Sequence, residues 1–551
     1  MRKLSGPSRA VVGVSVTFFA IGMAVMPSYA APGRKQAGTA VRSHRIERAS
    51  ETATSRKAPL SDLTAAQRAA ISGQALVGDQ AAYAQAKARA EQVQARRHAP
   101  ARSAAAAGPR APSSLRNWHG LLDPGWAPSD STGAVGTTRY VEMVNSQIGI
   151  YSRTSSTALA TSDLNTFVNA GAGPQVFDPQ IMWDPSTNRF YYATDAVADS
   201  LNNFLAFGFS KTASPSNATT DWCQYSINYG AEFPDYPKLG DLSGLLMIGA
   251  NVFGPVNFIR SDVVGITKPP SGTTCPLPSS FRVSTAEDLR NTDASQSTTP
   301  LPANQVDGSG TGFVLAGKGF AGGNFVSVFN VTKNGSNDIV VSAARKLSLA
   351  AFTVPPAAPQ PGTARKLDTL DTRFTNAVSA IDPFRSNQVG IWTQHTVAGG
   401  GGSEVRWLEI NPAPATPVPF QSGTQTNASF FLYNAAISPD RRRNGAAGQF
   451  GNGMLLHYSK SSTSQRISIA AVSKVDNGAV TGETSLQTSP DVIDDFGCQS
   501  NVCRWGDYSG ASPDPASDTS ANNGVVWGTN AWAQASAGTS PDWRTQNFAL
   551  Q

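Results

Sequence analysis

Two short stretches decide how this sequence is read: "DYPKLGD", Asp235–Asp241, and "DYSGASPD", Asp507–Asp514. Each places an acidic residue just ahead of a small or apolar run, with a second turn-forming acid six or seven positions on. The spacing recurs at "DSTGAVG" from Asp130, "DPQIMWD" from Asp178, "NAVSAID" from Asn376 and "NAAISPD" from Asn434, and a fainter copy opens at Asp307 in "DGSGTGFVLAGKGF". With that copy included, the opening residues lie 48, 57, 72, 69, 58 and 73 positions apart. Such an interval holds four short antiparallel strands and their loops. Four-stranded sheets repeated around an axis make a β-propeller, which leaves few exposed sheet edges. Seven blades are expected, or six if Asp307 belongs to an insertion.

The texture between the motifs agrees. "RYVEMVNSQIGIYS", "RFYYATDAV", "GLLMIGANVF", "QVGIWTQHTV" and "GVVWGTNAWA" are strand-length runs rich in β-branched and aromatic residues, bounded by Gly, Pro, Asn and Asp. No helical periodicity interrupts them, so residues 118–551 read as one all-β domain.

The front of the chain is different. Arg2, Lys3 and Arg9 precede "VVGVSVTFFAIGMAVM" and the small residues Ser28 and Ala30, the pattern of an export signal over 1–30. The apolar run falls short of the roughly 20 residues of a spanning helix, and no comparable run follows, so no transmembrane segment is expected after cleavage. Residues 31–60 lack apolar periodicity and read as disordered, 61–99 is an Ala/Gln-rich helical segment, and 100–117 is a linker. An inert tether is the simpler reading of this region; a removable propeptide or a spacer is the functional one. The localisation implied is extracellular or at the cell envelope.

Charge follows the same division. The whole chain sums to +6, but residues 33–116 hold 15 basic and 5 acidic residues, whereas 117–551 hold 26 basic and 33 acidic. The large domain is therefore acidic, which argues against nucleic acid as its partner. Four cysteines in an exported chain suit disulfides. Cys498 and Cys503 lie close in sequence and Cys223 and Cys275 remain, although three pairings are formally open. No His stands near Cys498 or Cys503 to make a zinc site.

The second acid of each motif is explained by turn capping, as in "WDPSTN" and "IDPFRSN". The first is not, because an apolar strand has no general need of a carboxylate before it. In a propeller that position lies near one mouth of the central channel. Asp130, Asp178, Asp235, Asp307, Asn376, Asn434 and Asp507 would then form a ring there, with Tyr236, Lys238, Arg504, Trp505 and Tyr508 beside it. Close carboxylates raise one another's pKa unless a cation sits among them. Two chemistries follow: a Ca²⁺ site, with Asp178, Asp235 and Asp507 as ligands, or paired carboxylates acting on a glycosidic bond, with Asp178, Asp235, Asp507, Tyr236, Tyr508 and Arg504 as catalytic candidates. Other schemes fail on their own terms. "GDYSG" is not a nucleophile elbow, the five His show no triad or metal spacing, and "GFVLAGKG" lacks the Ser or Thr of a phosphate loop, so no nucleotide cofactor is expected.

At "DYPKLGD", "QVFDPQIMWDPSTNRFYYAT", "DSTGAVGTTRYVEMVNSQIGIYS" and "RWGDYSGASPDP" the chain resembles secreted bacterial β-propeller proteins described as sialidase-like or neuraminidase-like in fold. The resemblance spans roughly residues 118–551 and implies the propeller and export; the group supplies no assigned reaction. Sialidases themselves carry S-x-D-x-G-x-T-W boxes, which are missing here, and gather three arginines about a substrate carboxylate, where this chain offers Arg504 and Arg373. The expectation is a secreted propeller engaging an extracellular glycan or surface polymer at the channel mouth, with hydrolase or lyase activity. The alternative is a recognition scaffold whose Asp ring is structural or holds calcium.

Overall fold

The computed structural model describes residues 41–54, 56–72, 74, 76–97, 109–123, 125–270, 272, 274–441, 451–515, 524–534 and 543–551. The expected signal peptide, residues 31–40 and half of the expected linker, 100–108, lie outside them.

The molecule is a β-propeller. Seven sheets follow one another along the chain, beginning with the strands Thr132–Val135, Gln175–Asp184, Phe233–Leu242, Thr298–Pro302, Phe374–Asp382, Phe431–Pro439 and Gly510–Pro513. The neighbours in each sheet are antiparallel, apart from the short strand Asn304–Gln305, which pairs parallel with Phe374–Asp382; each opening strand packs against the opening strand of the next sheet, and the last packs against the first. That last contact is close: a Cβ at Gly510 would lie 2.6 Å from the Gly133 nitrogen, so a larger residue would force the opening strands apart. The ring is closed from the other end of the chain, where Ser114–His119 pairs with Trp543–Leu550 on the outside of the seventh sheet.

Central strands such as Leu245–Phe253 are buried at every residue, because both faces of each sheet meet another sheet; this is why they read as continuous apolar runs. The apolar core is accordingly divided into wedges, one at each junction. Val141, Ile150, Tyr192 and Trp222 pack between the first two sheets, and Trp118, Tyr140, Tyr151 and Trp527 between the seventh and the first. A small eighth sheet, made of Ala358–Pro359, Lys366–Leu367, Val502–Cys503 and Cys498–Gln499, ties two long connections together. Cys498 is bonded to Cys503 there, and Cys223 to Cys275 on the second sheet.

One expectation for the front of the chain needs correction. From Val41 the stretch 31–60 is not disordered: Val41–Arg42 adds to the third sheet beside Val283–Ala286, and Ile46–Arg48 to the second beside Trp222–Gly230. Main-chain pairing with a ready-made edge needs no apolar periodicity, so it leaves no pattern in the residues. The Ala/Gln-rich segment does form helices, Ala65–Ile71 and Gln80–Ala95, and these lie on the propeller. No helix among the described residues is long and apolar enough to cross a membrane.

Candidate functional site: a covered carboxylate cluster at the channel mouth

The site begins with a backbone irregularity. In five opening strands two residues bulge out of register: Asp178–Pro179, Tyr236–Pro237, Thr299–Pro300, Thr375–Asn376 and Asn434–Ala435. The first bulged residue adopts φ 55° at Asp178, 59° at Tyr236, 51° at Thr299 and 45° at Asn434, and Asp130 shares it at 41°. A left-handed conformation costs a non-glycine residue about 1–3 kcal/mol. It is held because the amide freed by the bulge finds a partner on the preceding sheet: Asp178 N–H donates to Asn145 Oδ1 at 2.8 Å, and Thr299 N–H to Asn251 Oδ1 at 2.7 Å. Asp195 occupies the matching place before Tyr236.

These bulges turn acids inward. Asp178, Asp195 and Asp235 each bring a carboxylate oxygen to within 4.8 Å of the others. Asp130 and Asp507 complete the cluster, with Asp507 N–H donating to Asp130 Oδ1 at 2.6 Å and Asn145 Nδ2 donating to Asp130 Oδ2 at 2.7 Å. Arg504 pairs with Asp507 and, at 2.9 Å, with Asp368, while Arg373 is matched to Asp371 at 2.7 Å. Lys238 is different. Its ammonium lies over the rings of Tyr508 and Tyr236, 3.4 and 3.9 Å from their centroids, and makes no hydrogen bond.

Burial dominates the electrostatics. It pushes the Asp178 carboxyl up to about 8, with the charges of Asp235 and Asp507 adding to the effect, and the Asp235 carboxyl up to about 7 against the pull of Arg373. Asp130 and Asp195 are raised well above the carboxylate range for the same reason. Lys238 is pushed down to about 7 by burial, although the neighbouring carboxylates oppose it.

The N-terminal segment covers this cluster. The cavity over the acids has a volume of ≈ 20 Å³, about the space of one water, and its walls include Ala70, Gln74 and Leu76 together with Trp126, Phe177, Arg373 and Arg504. Leu63, Ala66 and Leu76 are buried against Phe177, Phe233 and Phe253. A capping box fixes the first helix: Thr64 Oγ1 accepts from Gln67 N–H, and Gln67 Oε1 accepts from Thr64 N–H at 2.7 Å. Gln67 Nε2 is left to donate to Asp199 O and Asn203 Oδ1 on the second sheet. Farther along, Lys87 donates to the carbonyl oxygens of Leu370, at 2.5 Å, and Pro355, and Glu91 meets Lys366.

The structure thus gathers Asp130, Asp178, Asp235, Asp507, Tyr236, Lys238, Tyr508 and Arg504 at one mouth, and three expectations change. Asp307 opens no strand and accepts a hydrogen bond from Ile381 N–H; the residue at the ring position of the fourth sheet is Thr299. Asn376 is spent on the neighbouring strand, donating to Ile437 O at 2.7 Å, and Thr375 precedes it as the first bulged residue. Asn434 keeps the ring position of the sixth sheet, its Nδ2 donating to Asn530 Oδ1 at 3.1 Å. Trp505 is apolar core, 2% exposed, with its indole N–H on Ser459. The motif register also shifts by one, since Tyr236, not Asp235, matches Asp178. Asn145, Asp195 and Asn251 escaped the sequence reading, although each is a polar residue that closes a mostly apolar run, in "YVEMVN", "FYYATD" and "LLMIGAN".

No family model matches the chain, and no curated protein matches it. Among solved structures, the endosialidase of phage phi92 is similar at 7% identity and a TM-score of 0.33, covering 79% of this chain and 69% of that one. An exo-β-1,3-galactanase from Clostridium thermocellum aligns at 11% identity and a TM-score of 0.29, over 77% and 97%. Drosophila Semaphorin 2a aligns at 7% identity and 0.35, over 80% and 76%. Likenesses of this order bring no reaction with them.

Proposed function

We propose that this chain is an exported propeller that takes hold of an extracellular polymer, a glycan, at the mouth of its channel, and that residues 56–97 keep the mouth shut until they are displaced. One observation carries the reading: a carboxylate cluster and an aromatic surface lie side by side beneath one N-terminal segment. Lifting that segment would bare Trp126, Phe177, Phe233 and Phe253 next to Asp178, Asp235, Arg373 and Arg504. Flat apolar faces beside fixed hydrogen-bonding groups suit a sugar ring, which offers a C–H face and a rim of hydroxyls. Carboxylates with raised pKa values are also suited to acid catalysis, so the same mouth could cleave what it binds.

The competing reading is a scaffold whose ring is purely structural. Asp130 favours it, since both of its oxygens are satisfied by neighbouring donors.

The test compares the full chain, a chain beginning at Pro109, and a full chain carrying Lys87→Glu and Glu91→Lys. All would be screened against polysaccharides and glycoconjugates for binding and for released reducing or unsaturated ends. The reading expects at least tenfold tighter binding by the two uncovered forms, with any cleavage lost in Asp235→Asn. Uncovered chains that fold, as judged by circular dichroism, yet bind nothing on the panel would refute it and leave the scaffold.

A further inference from the structure

We infer that Asp178, Asp195 and Asp235 form a binding site for a divalent cation of the calcium class. The inference stands apart from polymer binding, because cation affinity is measured without any polymer present.

The geometry comes first. A Ca²⁺–oxygen contact is about 2.4 Å, so one ion bridges oxygens up to about 4.8 Å apart. One oxygen from each of the three carboxylates lies within 4.8 Å of the other two, so all three stand within about 2.8 Å of a common centre and a small side-chain adjustment brings them into contact with one ion. The donors are carboxylate oxygens with no His or Cys among them, a set that selects a hard cation over zinc or copper.

A second observation singles out Asp195. It is 0% exposed, and neither of its oxygens makes a hydrogen bond of acceptable geometry, although the Tyr236 amide it faces favours its charged form. The matching positions on the first and third sheets are Asn145 and Asn251, which make the inter-sheet contact with neutral amides. The latch therefore needs no charge here. Asp195 adds a negative group that burial opposes, and points it at two further carboxylates. Lys238 does not discharge the cluster by contact, since its ammonium is held over two tyrosine rings without a hydrogen-bond partner. An ion among the three oxygens would remove the mutual repulsion and give Asp195 the partner it lacks.

The reading also corrects the ligand set expected from sequence. Asp507 is committed to Arg504, and Asp195 takes its place.

The test uses the full chain, refolded once in EDTA and once in calcium chloride. Calcium at about a hundredfold excess over its Kd is expected to raise the midpoint of thermal unfolding by roughly 3 °C. Terbium, used as a probe, is expected to show emission sensitised by Tyr236 and Tyr508. Asp195→Asn, which installs the residue its sister positions already use, is expected to fold with an unchanged circular dichroism spectrum, to lose the calcium shift and to weaken terbium binding at least tenfold. Asp293→Asn, at an exposed pair with Lys318, is expected to keep both. Absence of any calcium shift in the native chain, or a shift that Asp195→Asn retains, overturns the inference.

Discussion

His457 provides a quantitative test of the wedge between the sixth and seventh sheets. It is 0% exposed, and its Nε2 lies 2.8 Å from Gly510 O, so that nitrogen carries the proton and donates it. Its Nδ1 then accepts from Asn530 Nδ2 at 3.3 Å, which makes the neutral ring fully bonded. A second proton would set an N–H against the Asn530 amide donor in a site away from water. Burial accordingly holds the imidazole down at about 4, against an ordinary 6.5. The unfolded chain binds a proton as pH falls through 6.5 while the folded chain does not, so this residue withdraws stability from about pH 6.5 down to its folded value. Between about pH 7.5 and 5 the loss is about 2 kcal/mol, since one pKa unit is worth about 1.4. The measurement is the urea-unfolding free energy of the native chain and of His457→Gln at both pH values. Gln offers one donor and one acceptor in a similar volume. Other titrating groups cancel in the difference, which should narrow by about 2 kcal/mol at the lower pH. Parallel pH curves for the two chains would show that the ring is protonated in the fold and that the tautomer assigned here is wrong.

Two further outcomes follow from buried partners. Lys268 reaches Asp184 and Asp241 at 2.6 Å each, bridging the second and third sheets with all three side chains 3% exposed or less; Lys268→Met is expected to cost about 3–5 kcal/mol in urea unfolding, because two carboxylates lose their counter-charge, and a cost below about 1 kcal/mol would refute the pairing. The Cys223–Cys275 bond closes 52 positions of chain; the double Ser variant is expected to lose about 4 kcal/mol by loop-closure entropy, and a chain as stable as the native one would show that other contacts already confine the loop.

The propeller could be read from sequence because its signals are local and repeated. "DPQIMWD" and "DYPKLGD" mark the same place in successive sheets, and the strands after them are apolar enough to be recognised one by one. The register within the motif was harder. Asp178 and Tyr236 match through a bulge and a positive φ, not through residue type, so alignment on the acid set Asp235 against Asp178 and passed over "TTPLP" at Thr298–Pro302 for Asp307. The latch residues were legible only in hindsight: the polar end of "LLMIGAN" matters because an amide on the next sheet needs an acceptor, and that amide is 48 positions away. That the Ala-rich segment has an apolar side, with Leu63, Ile71 and Leu76, able to pack on the domain could be read, but where it docks could not. Nothing in the Ala-rich stretch around Leu76 announces that the Leu76 carbonyl will meet Arg373, 297 positions downstream.

The ring is not symmetric, and that asymmetry bears on what it is for. At or just before their opening strands, the first, second, third and seventh sheets bring Asp130, Asp178, Asp235 and Asp507 to the mouth, whereas the bulges of the fourth, fifth and sixth carry Thr299, Thr375 and Asn434. Tyr236, Thr299 and Asn434 hold the same bulge and positive φ as Asp178, so the bulge itself is indifferent to the charge. Burying a carboxylate beside others of its kind costs free energy that Thr or Asn would spare. The cost is incurred on one side of the mouth only, and it is there that Ala70, Gln74 and Leu76 of the N-terminal segment lie over the acids. A ring whose work was only to close the propeller would have no reason to concentrate its charge, or to keep that charge under cover.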